Sequence, residues 1–231
     1  MAPVPSASPW TGRGGVCLAD EAALVRGVLG RLEQPAHLVG HSYGGAVALH
    51  LARTRPKRVR SLAVIEPVAF HLLREKDAAD VAALREIAAV AHRVARALAD
   101  GDLQEGFGRF VDYWSGTGAW AEMPYEKRAA LVPMLRKVAL DFEAVLNEPT
   151  GLADMADIHV PTLILQVSRT AFPTRRVCQT LSGAVRNAPL HVVPGAGHML
   201  PLTHRDEVNA LIAAHIAASG MATFTSGGEV R

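Results

Sequence analysis

Residues 38–45 read Leu38-Val39-Gly40-His41-Ser42-Tyr43-Gly44-Gly45, which satisfies Gly-x-Ser-x-Gly with Ser42 at its centre. A serine hydroxyl is a weak nucleophile until a base takes its proton, and a sharp strand-to-helix turn exposes it for attack. Glycine at positions 40 and 44 suits such a turn, because side chains on those neighbours are expected to clash. The turn lifts the Ser42 hydroxyl above a sheet and aims the following helix N-terminus at developing negative charge. The five-residue pattern by itself is also met in Gly/Ser loops without chemistry. An apolar strand before it and an apolar helix after it turn the pattern into a nucleophile turn.

Ten histidines could supply the base, so position must choose. His198 lies in Val193-Pro194-Gly195-Ala196-Gly197-His198-Met199, a glycine-hinged loop directly after the last strand. Loops at the carboxyl ends of parallel strands are where such sites assemble. His191, His204 and His215 fall in the adjoining strand and helix, where packing or solvation is the expected role. There is no His-Glu-x-x-His or other paired spacing that would suggest a metal site.

The elements that must carry these groups follow from hydrophobic period. Asp20–Leu32 has Ala23, Leu24, Val28 and Leu32 at helical spacing, with Asp20 as the expected N-cap and Gly30 loosening the end. His37–Val39 is a short strand, Gly44–Arg53 a helix stopped by Arg55-Pro56, and Leu62–Ile65 a continuous apolar run covered on both faces. Strand, helix, strand is a βαβ crossover, so the sheet is parallel. From Phe70 to Thr150 no strand is expected, only helices over Asp77–Ala99, Leu103–Tyr113 and Tyr125–Leu146. The alternation then resumes with Thr162–Val167, a helix over Thr174–Leu181, Leu190–Val193, and a helix over Thr203–Ala218. Met221–Arg231 is rich in Gly, Thr and Ser and is expected to be a disordered tail.

Composition sets the outer bounds. The 231 residues are 49% hydrophobic, and 24 basic against 22 acidic side chains leave a net charge of +2. Without a segregated basic stripe, nucleic acid is not an expected partner. No run approaches the roughly 18 apolar residues of a membrane span, so no membrane partner is expected either. The opening Met1–Gly15 has no apolar signal-peptide core. Cys17 and Cys178 have no paired spacing, which fits reduced thiols in a cytoplasmic protein. Arginine outnumbering lysine, with abundant alanine, suggests a GC-rich, bacterial coding sequence.

With these segments in place the chain resembles the α/β-hydrolase superfamily, in its serine-dependent, lid-bearing form, over residues 18–218. The resemblance is carried by Gly40-His41-Ser42-Tyr43-Gly44-Gly45, by the helical insertion after Glu66-Pro67, by Val160-Pro161-Thr162-Leu163-Ile164-Leu165 and by Gly195-Ala196-Gly197-His198. It implies an α/β fold in which residues 1–69 and 151–220 form the sheet-bearing core and residues 70–150 an all-helical lid. It also implies cofactor-free hydrolysis of an ester, amide or related acyl bond, with nucleophile, acid and histidine in that order along the chain. An aspartate at the turn would mark the dehalogenase branch, and Ser42 argues against that. Tyr43 N–H would be one oxyanion donor. Tyr113, Trp114 and Trp120 bracket the Gly116–Gly118 loop and are candidates for lining an apolar acyl pocket, packing within the lid being the alternative.

Two positions depart from the family pattern. The acid is expected as Gly-x-x-Asp after Thr162–Val167, but Val167-Ser168-Arg169-Thr170 leaves Thr170 in its place. Glu66, at the end of the strand after the turn helix, is the alternative, since neighbouring strands lie only about 4.8 Å apart. Asp154 and Asp157 precede the strand and are weaker candidates. The second oxyanion donor should come from a loop after an earlier strand, yet residues 1–19 hold Pro3, Pro5 and Pro9 and no strand candidate. The expectation is a chain that begins late, lacks the first strands, and exposes the Ser42-bearing strand as an edge open to self-association. The leading reading is a serine esterase with Ser42, His198 and Glu66 acting on a small, largely apolar acyl substrate. The alternatives are an inactive fragment or binding module, and a carbon–carbon bond hydrolase or cofactor-free haloperoxidase on the same residues.

Overall fold

The computed structural model describes residues 16–74 and 77–225. Four strands, β1 (Ala36–His41), β2 (Val59–Ile65), β3 (Thr162–Val167) and β4 (Leu190–Val193), form one parallel sheet in the order β1-β2-β3-β4. Helices fill the crossovers: α1 (Leu18–Leu29) precedes β1, α2 (Tyr43–Thr54) joins β1 to β2, and α8 (Phe172–Ala184) joins β3 to β4. Between β2 and β3 lie α3 (Ala78–Asp100), α4 (Leu103–Ser115), α5 (Ala119–Glu122), α6 (Tyr125–Leu131) and α7 (Leu135–Asn147). After β4 come α9 (Leu200–Thr203) and α10 (Arg205–Thr225).

The strands read as apolar runs because both sheet faces are covered. Along β2 and β3 successive side chains part to opposite sides. Leu62, Val64 and Ile164 pack with α1, α2 and α8, whereas Ala63, Ile65, Leu163 and Leu165 pack with Leu200 and Val208. At one end of the sheet β1 has a paired neighbour on one side only among the described residues, and its Val39 is 48% exposed.

The helical insertion is tied down at both ends. Asp77 caps α3 by accepting the Asp80 N–H at 2.7 Å, and Gly101 ends the helix in the left-handed region at φ 82°. Ala83, Ile87, Val90 and Val94 bury one face of α3. Arg176 of α8 reaches Asp77 at 2.9 Å and the buried Asp80 at 2.8 Å, and Arg74 donates to the Glu148 carbonyl at 2.7 Å.

The strands fall where the hydrophobic runs place them, but several helices differ from expectation. Cys17, not Asp20, caps α1; Asp20 sits at the third helical position and its carboxylate accepts the Cys17 N–H at 3.1 Å. Tyr125–Leu146 is broken at Val132–Met134, where Pro133 cannot continue an α-helix. The last helix divides at His204 and continues through Thr225, overrunning the expected start of a tail at Met221; residues 226–231 lie outside the described residues. Residues 1–15, the greater part of the expected strandless opening, also lie outside them.

Candidate active site

β1 ends at His41 and the chain turns at once into α2, with Ser42 at φ 54° and ψ −120°. A non-glycine residue in that region is strained, and it persists because its surroundings fix it. Ser42 N–H donates to Ile65 O at 2.9 Å, and Ser42 O accepts from Gly45 N–H at 3.0 Å and Val68 N–H at 3.3 Å. The turn also needs close backbone approach: a Cβ on Gly40 would lie 2.4 Å from the Gly44 carbonyl oxygen. Gly44, by contrast, faces open space, which corrects the expected clash there. Gly45 is the second crowded glycine, where a Cβ would meet the Pro67 Cβ at 3.0 Å.

Three of the expected residues meet. His198 Nε2 lies 3.0 Å from Ser42 Oγ, and His198 Nδ1 lies 3.3 Å from Glu66 Oε2. Glu66 directly follows β2, also with positive φ (48°), and is fully buried. Its carboxylate is held by two further donors, Val167 N–H to Oε1 at 2.9 Å and Thr170 Oγ1–H to Oε2 at 2.6 Å. Thr170 therefore does not leave the acid's usual place empty: its hydroxyl secures a carboxylate arriving from the neighbouring strand. Asp154 instead accepts the Gly151 N–H at 2.7 Å before β3, and Asp157 is exposed there, so neither approaches His198.

The imidazole is fixed from two more sides. The Trp114 ring stacks on it at 4.4 Å between centroids and 28° between planes. His41 Nε2–H donates to the His198 carbonyl at 2.8 Å, with the two rings 4.9 Å apart. Burial, aided by the nearby His198, pushes the His41 pKa down to about 4, so His41 is neutral at neutral pH. Sequence reading passed over His41, although it lies inside the motif.

A cavity of about 60 Å³ opens from Ser42 beneath the insertion, walled by Phe70, Phe110, Trp114 and Phe142, with Tyr43 and Asp141 also in its lining. Of the three aromatic candidates only Trp114 borders it. Tyr113 turns away to donate to Glu86 at 2.8 Å, and Trp120 packs over Gly108 and beside Phe107. Tyr43 N–H opens α2, where no carbonyl of the helix can accept it. The expectation that the loop with a second oxyanion donor is missing rests mostly on residues 1–15, which lie outside the described residues. His191 is exposed, and His204 bonds its neighbour Thr203 at 2.9 Å. Cys17 and Cys178 are both free thiols, exposed and buried respectively. Among the described residues no cluster of His, Cys, Asp and Glu could hold a metal ion, and no helix is long and apolar enough to cross a membrane.

A parallel α/β sheet with a serine at a strained strand-to-helix turn and helices inserted between β2 and β3 is the architecture of an α/β-hydrolase-type enzyme. The chain belongs to the alpha/beta hydrolase family, whose pattern it matches over residues 5–211. It is 29% identical over 231 residues to lipase LipV of Mycobacterium tuberculosis, covering 90% of this chain and 77% of LipV. Its fold is similar to that of MenH from S. aureus, with a TM-score of 0.71 at 16% identity, covering 92% of this chain and 80% of MenH. It is similar as well to a thermophilic esterase, with a TM-score of 0.68 at 19% identity, covering 90% and 75% of the two chains.

Proposed function

We propose that the chain is a serine hydrolase of small, largely apolar esters, with Ser42 as nucleophile, His198 as base and Glu66 as orienting acid. The observation that carries this reading is the continuous line from Ser42 Oγ through His198 to the buried Glu66 carboxylate, at 3.0 and 3.3 Å. Glu66 accepts the Nδ1 proton and leaves the Nε2 lone pair facing Ser42, the tautomer a base requires. Oγ then attacks the acyl carbon while Nε2 takes its proton. The carbonyl oxygen gains negative charge at the N-terminus of α2, where Tyr43 N–H can meet it. Collapse expels the alcohol with the proton returned from Nε2, leaving an acyl group on Ser42. A water activated by the same imidazole hydrolyses that ester and restores the serine.

The cavity wall supports an acyl rather than a peptide substrate, since it is apolar apart from Ser42, Tyr43 and Asp141 and no basic side chain lines it to hold a peptide carboxylate. In this reading helices α3–α7 are the lid, and Trp114 couples it to the base by stacking on His198. Two free thiols support a cytoplasmic setting. A fluorophosphonate probe tests the assignment directly. The wild-type chain should be labelled and Ser42→Ala should not; well-folded wild type that resists the probe sinks the proposal.

A further inference from the structure

One charged group enters the cavity. Asp141, on α7, brings a carboxylate into a lining that is otherwise apolar apart from Ser42 and Tyr43. It is paired through Oδ1 with Lys137, one helical turn away, and the Lys137 ammonium also reaches Glu21 at 3.0 Å. The same ammonium lies 4.5 Å from the centre of the Tyr43 ring. Lys137 does not itself line the cavity, and two carboxylates against one ammonium leave the cluster negative.

We propose that Asp141 determines acyl specificity by accepting a hydrogen bond from a hydroxyl on the substrate's acyl chain, so that hydroxyacyl esters are preferred over plain ones. This rests on the reading of Ser42 as nucleophile in the same cavity. A carboxylate offers about four acceptor positions, so the bond to Lys137 leaves capacity for another donor. Burial raises the Asp141 carboxyl to about 6 against the opposing pull of Lys137, the mark of an anion short of solvation. The Tyr43 hydroxyl beside it is buried and drawn toward the Asp141 carboxylate without a well-formed hydrogen bond, so the carboxylate keeps acceptor capacity for a donor arriving from substrate in an otherwise apolar wall. A neutral hydroxyl fits better than an ammonium, which would give up its hydration to an apolar lining whose carboxylate is already paired with Lys137, and a substrate carboxylate would be repelled by Asp141 itself.

The test compares kcat/KM on the full chain at pH 8 for two matched pairs: p-nitrophenyl butyrate with 3-hydroxybutyrate, and hexanoate with 6-hydroxyhexanoate. At least one pair should favour the hydroxyl by about tenfold, the worth of one hydrogen bond to a charged acceptor. Asp141→Leu should bring that ratio to about one, and Asp141→Asn, which keeps a weaker acceptor, should fall between. Ratios do not depend on the fraction of active protein, so partial misfolding does not blur the result. Equal ratios in wild type and Asp141→Leu, or a preference for the 3-aminobutyrate ester over the 3-hydroxybutyrate, would overturn the inference. Fluorophosphonate labelling in the same preparations separates the two levels. Labelled wild type with unchanged ratios removes only the role of Asp141, whereas unlabelled wild type removes the hydrolase reading beneath it.

Discussion

Replacing Glu66 by glutamine changes few atoms, yet the surroundings dictate how the amide must sit. Val167 N–H points at Oε1 from 2.9 Å, so the amide oxygen has to occupy that position. The NH2 group is thereby forced into the place of Oε2, 3.3 Å from His198 Nδ1. Thr170 can rotate its hydroxyl to accept one amide proton, but His198 can accommodate the other only by presenting Nδ1 as an acceptor. That tautomer carries its proton on Nε2, facing Ser42, where a lone pair is needed. The expected loss is therefore that of a mis-set tautomer, about 10⁴-fold in kcat, without a buried uncompensated charge to destabilise the fold. Steady-state hydrolysis of p-nitrophenyl butyrate measures it, with the thermal midpoint as the control for folding. The double variant Glu66→Gln/Thr170→Asp should recover part of the loss by returning a carboxylate from the adjacent strand. A Glu66→Gln enzyme with kcat within about tenfold of wild type would refute the assignment of the acid.

Thr170→Val removes a 2.6 Å bond to the buried carboxylate and should cost about 1.5–3 kcal/mol, read from urea unfolding at pH 7.5, together with a fall in kcat. Gly40→Ala forces a Cβ against the Gly44 carbonyl oxygen and should abolish fluorophosphonate labelling through loss of the turn, with circular dichroism reporting the accompanying instability. The depressed pKa of His41, about 4 when folded against the ordinary 6.5, means the unfolded chain binds more protons between those values. Stability from this group is complete above pH 6.5 and lost as pH falls toward 4, by about 2 kcal/mol at pH 5. His41→Asn, which has no such titration, should flatten that part of the pH profile of unfolding. Finally, we propose that the β1 edge, unpaired among the described residues, joins a second copy of the chain, so Val39→Lys should shift the mass measured by light scattering from dimer to monomer.

Why the site was legible and its surroundings were not comes down to range of interaction. The nucleophile turn is local: strand, glycine, serine and helix occupy consecutive positions, and the 2.4 Å approach of position 40 to position 44 spans only four residues. His198 could be chosen because parallel strands deliver their carboxyl-end loops to one edge of the sheet. Glu66 needed more, since its place beside His198 depends on β2 lying next to β3, and alternation of strands and helices implies a parallel sheet without giving its strand order. What the sequence could not show was the second partner of each group. Thr170 looked like a missing acid because its role is set by a residue 104 positions earlier, reached through strand pairing. Trp114 could not be told from Tyr113 or Trp120 by composition, because adjacent positions on α4 face different neighbours and only the packing of α4 turns Trp114 onto the imidazole. Asp141 had still less to mark it, since an aspartate four residues after a lysine reads as a solvated helix pair. Its cavity exists only once α7 and the α2 turn close around it. The proposed nucleophile and base can thus be read from a motif and a loop position, while the residue proposed to select the substrate emerges from packing. The comparison of Asp141→Leu with Asp141→Asn bears on that division more directly than any variant of the three reacting groups.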